Sequence, residues 1–115
     1  MIYTSYFAHI SKLPKEYPLY YISNSTINSR IQQLSCVVPD WHIVKDYKDG
    51  LINEEVYTQK YLQMLEDNKE EILKQIKNLP NNSVLLCYEG KTKFCHRHVL
   101  ADWLKTYNIE IEEIE

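Results

Sequence analysis

The chain has 115 residues, 44% of them hydrophobic and 25% charged, which fits one globular domain over 1–115 and excludes wholesale disorder. Thirteen basic residues against sixteen acidic ones leave a net charge of −3, so a broadly basic binder of duplex nucleic acid is not expected. No apolar run reaches bilayer-spanning length, and the N-terminus lacks a charged segment followed by a hydrophobic one; a cytoplasmic protein without a membrane partner is expected.

Ile2 to Ala8 is an apolar and aromatic run that reads as a buried strand. The stretch from His9 to Tyr17 holds Pro14 and reads as a connection. A second strand is expected over Pro18–Ser23, broken by the turn-forming Ser23-Asn24-Ser25-Thr26. Ile27, Ile31 and Leu34 have the spacing of a short helix over about 28–34. Cys36 to Val38 reads as extended before Pro39. Trp41 and Tyr47 fall in an expected loop that Asp49-Gly50 closes.

Asn53 is a candidate N-cap, with Glu54 and Glu55 where the helix dipole favours acids. One long helix is expected from there to about Asn78, with an apolar stripe through Tyr57, Tyr61, Leu65, Ile72 and Ile76. Leu79-Pro80-Asn81-Asn82 stops it. Ser83 to Tyr88 is the clearest buried strand. A polar loop over 89–93 leads into a helix from Phe94 or Cys95, which Asn108 ends. Ile109 and Ile111 begin a final, partly exposed strand. This order implies an α/β fold with a mostly parallel sheet, whose ligand sites lie beyond the strand C-terminal ends.

On that topology Ser5 and Tyr6, the Ser23-Asn24-Ser25 turn, and Cys87-Tyr88-Glu89 meet at one rim. The helix start at Cys95-His96-Arg97 faces the same crevice. Its open backbone N–H groups favour an anion, and the Arg97 guanidinium can bond a phosphate in parallel or pair with Glu89. Arg30 and Arg97 are the two arginines among thirteen basic residues, which marks both for their fork-shaped donor sets. Tyr6, Trp41 and Tyr88 could stack on a ring, with Trp41 favoured by its loop position. Glu89 is the best candidate for acid–base work, and His96 is the second, beside a purely structural histidine.

Cys95 at a helix start beside Arg97 sits where a thiolate is favoured, but a packing cysteine is the expected role. The spacing does not match the Cys-x5-Arg loop of phosphatase-like enzymes. Cys87 reads as core, and a Cys87–Cys95 disulfide is not expected in a reducing compartment. Cys87, Cys95 and His98 lack paired metal-ligand spacing, so no metal site is expected. No cofactor is implied, and no feature sets an oligomeric state.

Cys87-Tyr88-Glu89, then Phe94-Cys95-His96-Arg97-His98 with Leu100-Ala101 and Trp103-Leu104, resembles the C-terminal signature of the domain of unknown function 488 family. Tyr3 to Ala8, Ile22 to Thr26, Pro39-Asp40-Trp41, Tyr47-Lys48 and Glu54 to Thr58 resemble its compact branch, in order. The resemblance implies a small Rossmann-like, three-layer α/β domain of bacteria and phages, without a settled activity. Many longer members carry Asp-Val-Arg where this chain has Ser23-Asn24-Ser25, so no role for that acid and arginine transfers; Arg30 could replace the charge.

Two functions from different classes follow. The first is binding of a phosphate-bearing, nucleotide-like small molecule through Ser5, Tyr6, Ser23, Asn24, Ser25, Trp41, Tyr88, Cys95 and Arg97, with sequestration as its purpose. The second is an enzyme acting on such a ligand, with Glu89 or His96 as acid–base and Arg97 as anion stabiliser. A weaker third is a protein-binding inhibitor that uses the aromatic segment around Trp41.

Overall fold

The computed structural model describes residues 1–25, 30–88 and 94–114. Among the described residues five strands form one sheet: β1 (Ile2–Tyr6), β2 (Leu19–Tyr21), β3 (Gln32–Gln33), β4 (Val84–Cys87) and β5 (Ile111–Glu113). Their order is β3-β2-β4-β1-β5, and every pairing is parallel. All strand C-termini therefore share one rim. Tyr6 lies opposite Cys87 and Tyr21 opposite Leu86, which brings the exits of β1, β2 and β4 side by side.

Alternation along the strands sends side chains to two cores. Ile2, Leu85, Cys87 and Ile111 face the larger one. It is completed by α1 (Trp41–Lys48), α2 (Glu54–Asp67), α3 (Lys69–Lys77) and α4 (His96–Lys105). Val84 and Leu86 face a smaller core under the 3-10 helix Phe7–Lys12, with Phe7, Leu13 and Ile31. The layer on this face is thin: a 3-10 helix and the Tyr3–Tyr17 ring stack, with centroids 5.6 Å apart. The domain is a small α/β fold of Rossmann-like kind.

Several segments depart from the sequence expectations. Gln32–Gln33 is a strand, not helix. Ile31 enters the small core and Leu34 the large one, as an odd spacing in extended chain requires. The expected helix also ran over 28–29, and those residues lie outside the described ones. Ser35–Val37 is a 3-10 helix rather than extended, and only Val38 is extended. Trp41 and Tyr47 stand on α1, not in a loop. The Asp40 carbonyl accepts from Ile43 and Val44 to start that helix.

The expected long helix is two. Asn68 Nδ2 donates to the Met64 carbonyl at 3.0 Å, and its backbone N–H turns to Leu65. A short amide side chain thus takes over the bond that would have continued α2. α4 stops at Lys105, and Asn108 closes the turn after it with φ 64°, the left-handed conformation that Asn tolerates.

Asn53 caps α2 as expected, its Oδ1 accepting from Val56 N at 2.9 Å. Replacing Asn53 with Ala should cost about 1 kcal/mol of stability, read as a lower urea midpoint at unchanged m-value. An unshifted midpoint would show that the cap adds nothing.

Candidate functional site

A cavity of about 480 Å³ opens at the C-terminal rim of the sheet. Ser23, Asn24 and Ser25 line it from the β2 exit, Cys87 and Tyr88 from β4, and Cys95 and His96 from the start of α4. Trp41 completes the set of expected residues it gathers. It also includes residues that the sequence did not single out as ligand contacts: Val44, Tyr47 and Lys48 from α1, and Glu54 and Tyr57 from α2, with Phe94 and Pro39. The missed signal was the spacing of Trp41, Val44 and Lys48, which puts one side chain per turn on the same helix face.

The serine turn is held by its own bonds. Ser23 Oγ donates to the Ser25 carbonyl at 2.6 Å, and Asn24 Nδ2 donates to the Pro39 carbonyl at 3.1 Å. The second bond ties the β2 exit to the start of α1. One wall is aromatic: Tyr47, Tyr57 and Phe94 pack with centroids 5.1–5.4 Å apart. Trp41 and Tyr88 are 52% and 41% exposed, and the Tyr88 ring packs against Phe7 with centroids 4.8 Å apart. Lys48 and Glu54 bring opposite charges to the same wall. Tyr47 OH donates to Glu54 at 3.4 Å.

His96 is buried and its Nε2 is 2.6 Å from the Ile22 carbonyl. A carbonyl only accepts, so the proton sits on Nε2 and Nδ1 is left as an acceptor. Burial drives its pKa down to about 4; the Ile22 bond opposes this and the Arg97 charge adds to it. At neutral pH His96 is therefore uncharged and has its proton committed to the backbone. That arrangement fits a positioning histidine joining α4 to β2 better than a general acid.

Arg97, the next residue, faces elsewhere. It is fully buried and does not line the cavity. Its Nε donates to both Glu113 carboxylate oxygens, and Nη2 reaches Oε2 at 3.0 Å. Its Nη1 donates to Cys87 Sγ at 3.0 Å, and the guanidinium lies 5.3 Å from the Tyr6 ring centroid. Successive helical residues point about 100° apart, and here that step carries Arg97 away from the cavity that His96 lines. The two first-strand residues also sit away from the cavity. Tyr6 stacks on Arg97 and on His9, and Ser5 Oγ is buried 3.1 Å from His9 Nδ1.

Glu89 lies outside the described residues. Cys87 and Cys95 bring their sulfurs into contact between β4 and α4. They are paired as a disulfide across eight residues of chain, which corrects the expectation of two reduced cysteines. Among the described residues no three His, Cys, Asp or Glu side chains gather for a metal ion, and no helix is long and apolar enough to cross a membrane.

The family model described as the active DUF488-N3 subclade, DUF488-N3a, matches residues 12–108. The chain belongs to the DUF488-N3a family. The matched span holds α1 to α4, the serine turn and the Cys-His-Arg helix start, so every described wall of the cavity belongs to the DUF488-N3a region. No curated protein matches the chain, and no solved structure does.

Proposed function

We propose that this DUF488-N3a protein binds a nucleotide-like small molecule at the sheet rim, and that it captures the ligand without changing it. The observation that carries this reading is the cavity itself. Its volume falls within the roughly 300–1,000 Å³ of small-molecule sites. Trp41 and Tyr88 offer stacking faces for a base. Lys48 and the positive dipole end of α4 attract a phosphate. Glu54 can accept from a ribose hydroxyl or a base N–H. Arg97 takes no direct part, because its donors are spent on Glu113 and Cys87. Capture of this kind is a sequestering role, suited to the cytoplasm of a bacterium or an infected host.

The family's description as an active subclade favours a second reading, catalysis on the bound ligand. On that reading Glu89 is the acid–base group, since His96 stays neutral with its proton bonded to Ile22.

One experiment tests both readings. The protein is incubated with mononucleotides, dinucleotides and cyclic dinucleotides, then denatured, and the ligand is recovered. Unchanged ligand in stoichiometric amount supports capture; a modified product supports catalysis; no retained or altered ligand across the panel refutes both. Replacing Trp41 with Ala should weaken binding about tenfold to a hundredfold, the loss of one stacked base, at unchanged urea stability. Undiminished affinity in that variant would place the ligand elsewhere.

A further inference from the structure

We propose that Cys87 and Cys95 are a reversible thiol–disulfide couple set in the cavity floor. Both residues line the cavity, so a small reagent reaches them although each is nearly buried by the protein. The structure holds the pair in its bonded, disulfide form. Arg97 Nη1 donates to Cys87 Sγ at 3.0 Å, an arrangement that stabilises negative charge on that sulfur. Cys95 occupies the N-cap of α4, where the open helix end does the same. Two sulfurs in contact, each beside a source of positive potential and each reachable from solvent, differ from an inert packing pair.

The co-reactant is a low-molecular-weight disulfide, R–S–S–R. Cys95 thiolate attacks one of its sulfurs, forms a mixed disulfide and expels RS⁻. Cys87 thiolate then attacks the Cys95 sulfur, forms the Cys87–Cys95 bond and expels the second RS⁻. The two cysteine thiols give up two electrons and two protons in all, and the small disulfide becomes two RSH. An added dithiol runs the sequence backwards.

The test uses the folded full chain in a glutathione redox buffer, with oxidised glutathione as the small disulfide. The reaction is quenched, and the chain is unfolded and alkylated with N-ethylmaleimide. Fully reduced chain carries an adduct on each of its three cysteines. After the buffer the expected result is a single adduct, on Cys36, and a linked Cys87–Cys95 peptide with no retained glutathione. Dithiothreitol should restore all three adducts. Three adducts after the buffer, glutathione held stably on either cysteine, or a link through Cys36 would overturn the proposal. No variant is needed, so folding defects do not enter. No nucleotide is present either, so the outcome stands apart from that of the ligand panel.

Discussion

Replacing Arg97 with Met should destabilise the domain by about 3 kcal/mol or more, measured by urea denaturation at pH 7. Removing one partner of a buried ion pair costs about 3–5 kcal/mol, because the remaining charge stays desolvated. Here Arg97 is fully buried while the Glu113 side chain keeps 19% of its exposure, which argues for the lower end. Thr4 Oγ1 also donates to the Glu113 carboxylate, so one carboxylate joins β1, β5 and α4. A loss below about 1 kcal/mol would show that this junction is energetically minor.

The same junction has a pH signature. Burial pushes the Glu113 carboxyl up, but hydrogen bonds from Arg97 and Thr4 and the Arg97 charge outweigh it and leave it below the ordinary range. A carboxylate depressed in the folded state contributes stability that is present above its unfolded pKa, about 4.3. That contribution fades as pH falls through the lower folded value. Glu113→Gln should remove this acid-range slope. It follows that failure of an Arg97 variant to bind ligand reports a loosened α4, not a missing phosphate contact. Trp41 and Lys48 are the residues whose replacement addresses the site.

The contrast between Arg97 and Trp41 shows where sequence reading reached and where it stopped. Short apolar runs located β1, β2 and β4, and parallel order then put the serine turn, Tyr88 and the Cys95-His96 helix start at one rim. Those conclusions need only the runs and chain order. Arg97 was legible as unusual, but its partner was not. Glu113 lies sixteen residues away, on a tail strand whose pairing with β1 is a tertiary fact. Trp41 was expected in a loop because Pro39 and Asp49-Gly50 bracket so short a segment, and eight residues carry little periodicity. The i, i+3 spacing of Ile31 and Leu34 fits a helix face as well as it fits opposite faces of a strand. Only the position of β2 decides between them. The family resemblance added to the fold, since its motifs carry order along the chain, and added nothing on which atoms face the cavity.

His96 should make the domain lose about 3 kcal/mol between pH 6.5 and pH 4. Its pKa is about 4 in the folded chain, chiefly because burial penalises the imidazolium, against 6.5 when unperturbed. Below pH 6.5 the unfolded chain takes a proton that the folded chain refuses. The unfolded state then binds more protons, so stability rises with pH across this window and is lost as pH falls. Half-buried His98 is shifted the same way, by desolvation first and then by Arg97, and adds a smaller slope of the same sign. Urea unfolding at intervals from pH 7 to pH 4, on wild type and on His96→Gln, isolates the larger contribution. The glutamine amide can still donate to the Ile22 carbonyl, so the variant should fold, and its curve should be flatter by most of the predicted loss. Carrying Glu113→Gln in both chains removes the carboxylate that titrates next. Equal slopes in the two chains would mean that His96 is protonated as readily folded as unfolded, and that burial at the start of α4 does not hold the imidazole neutral.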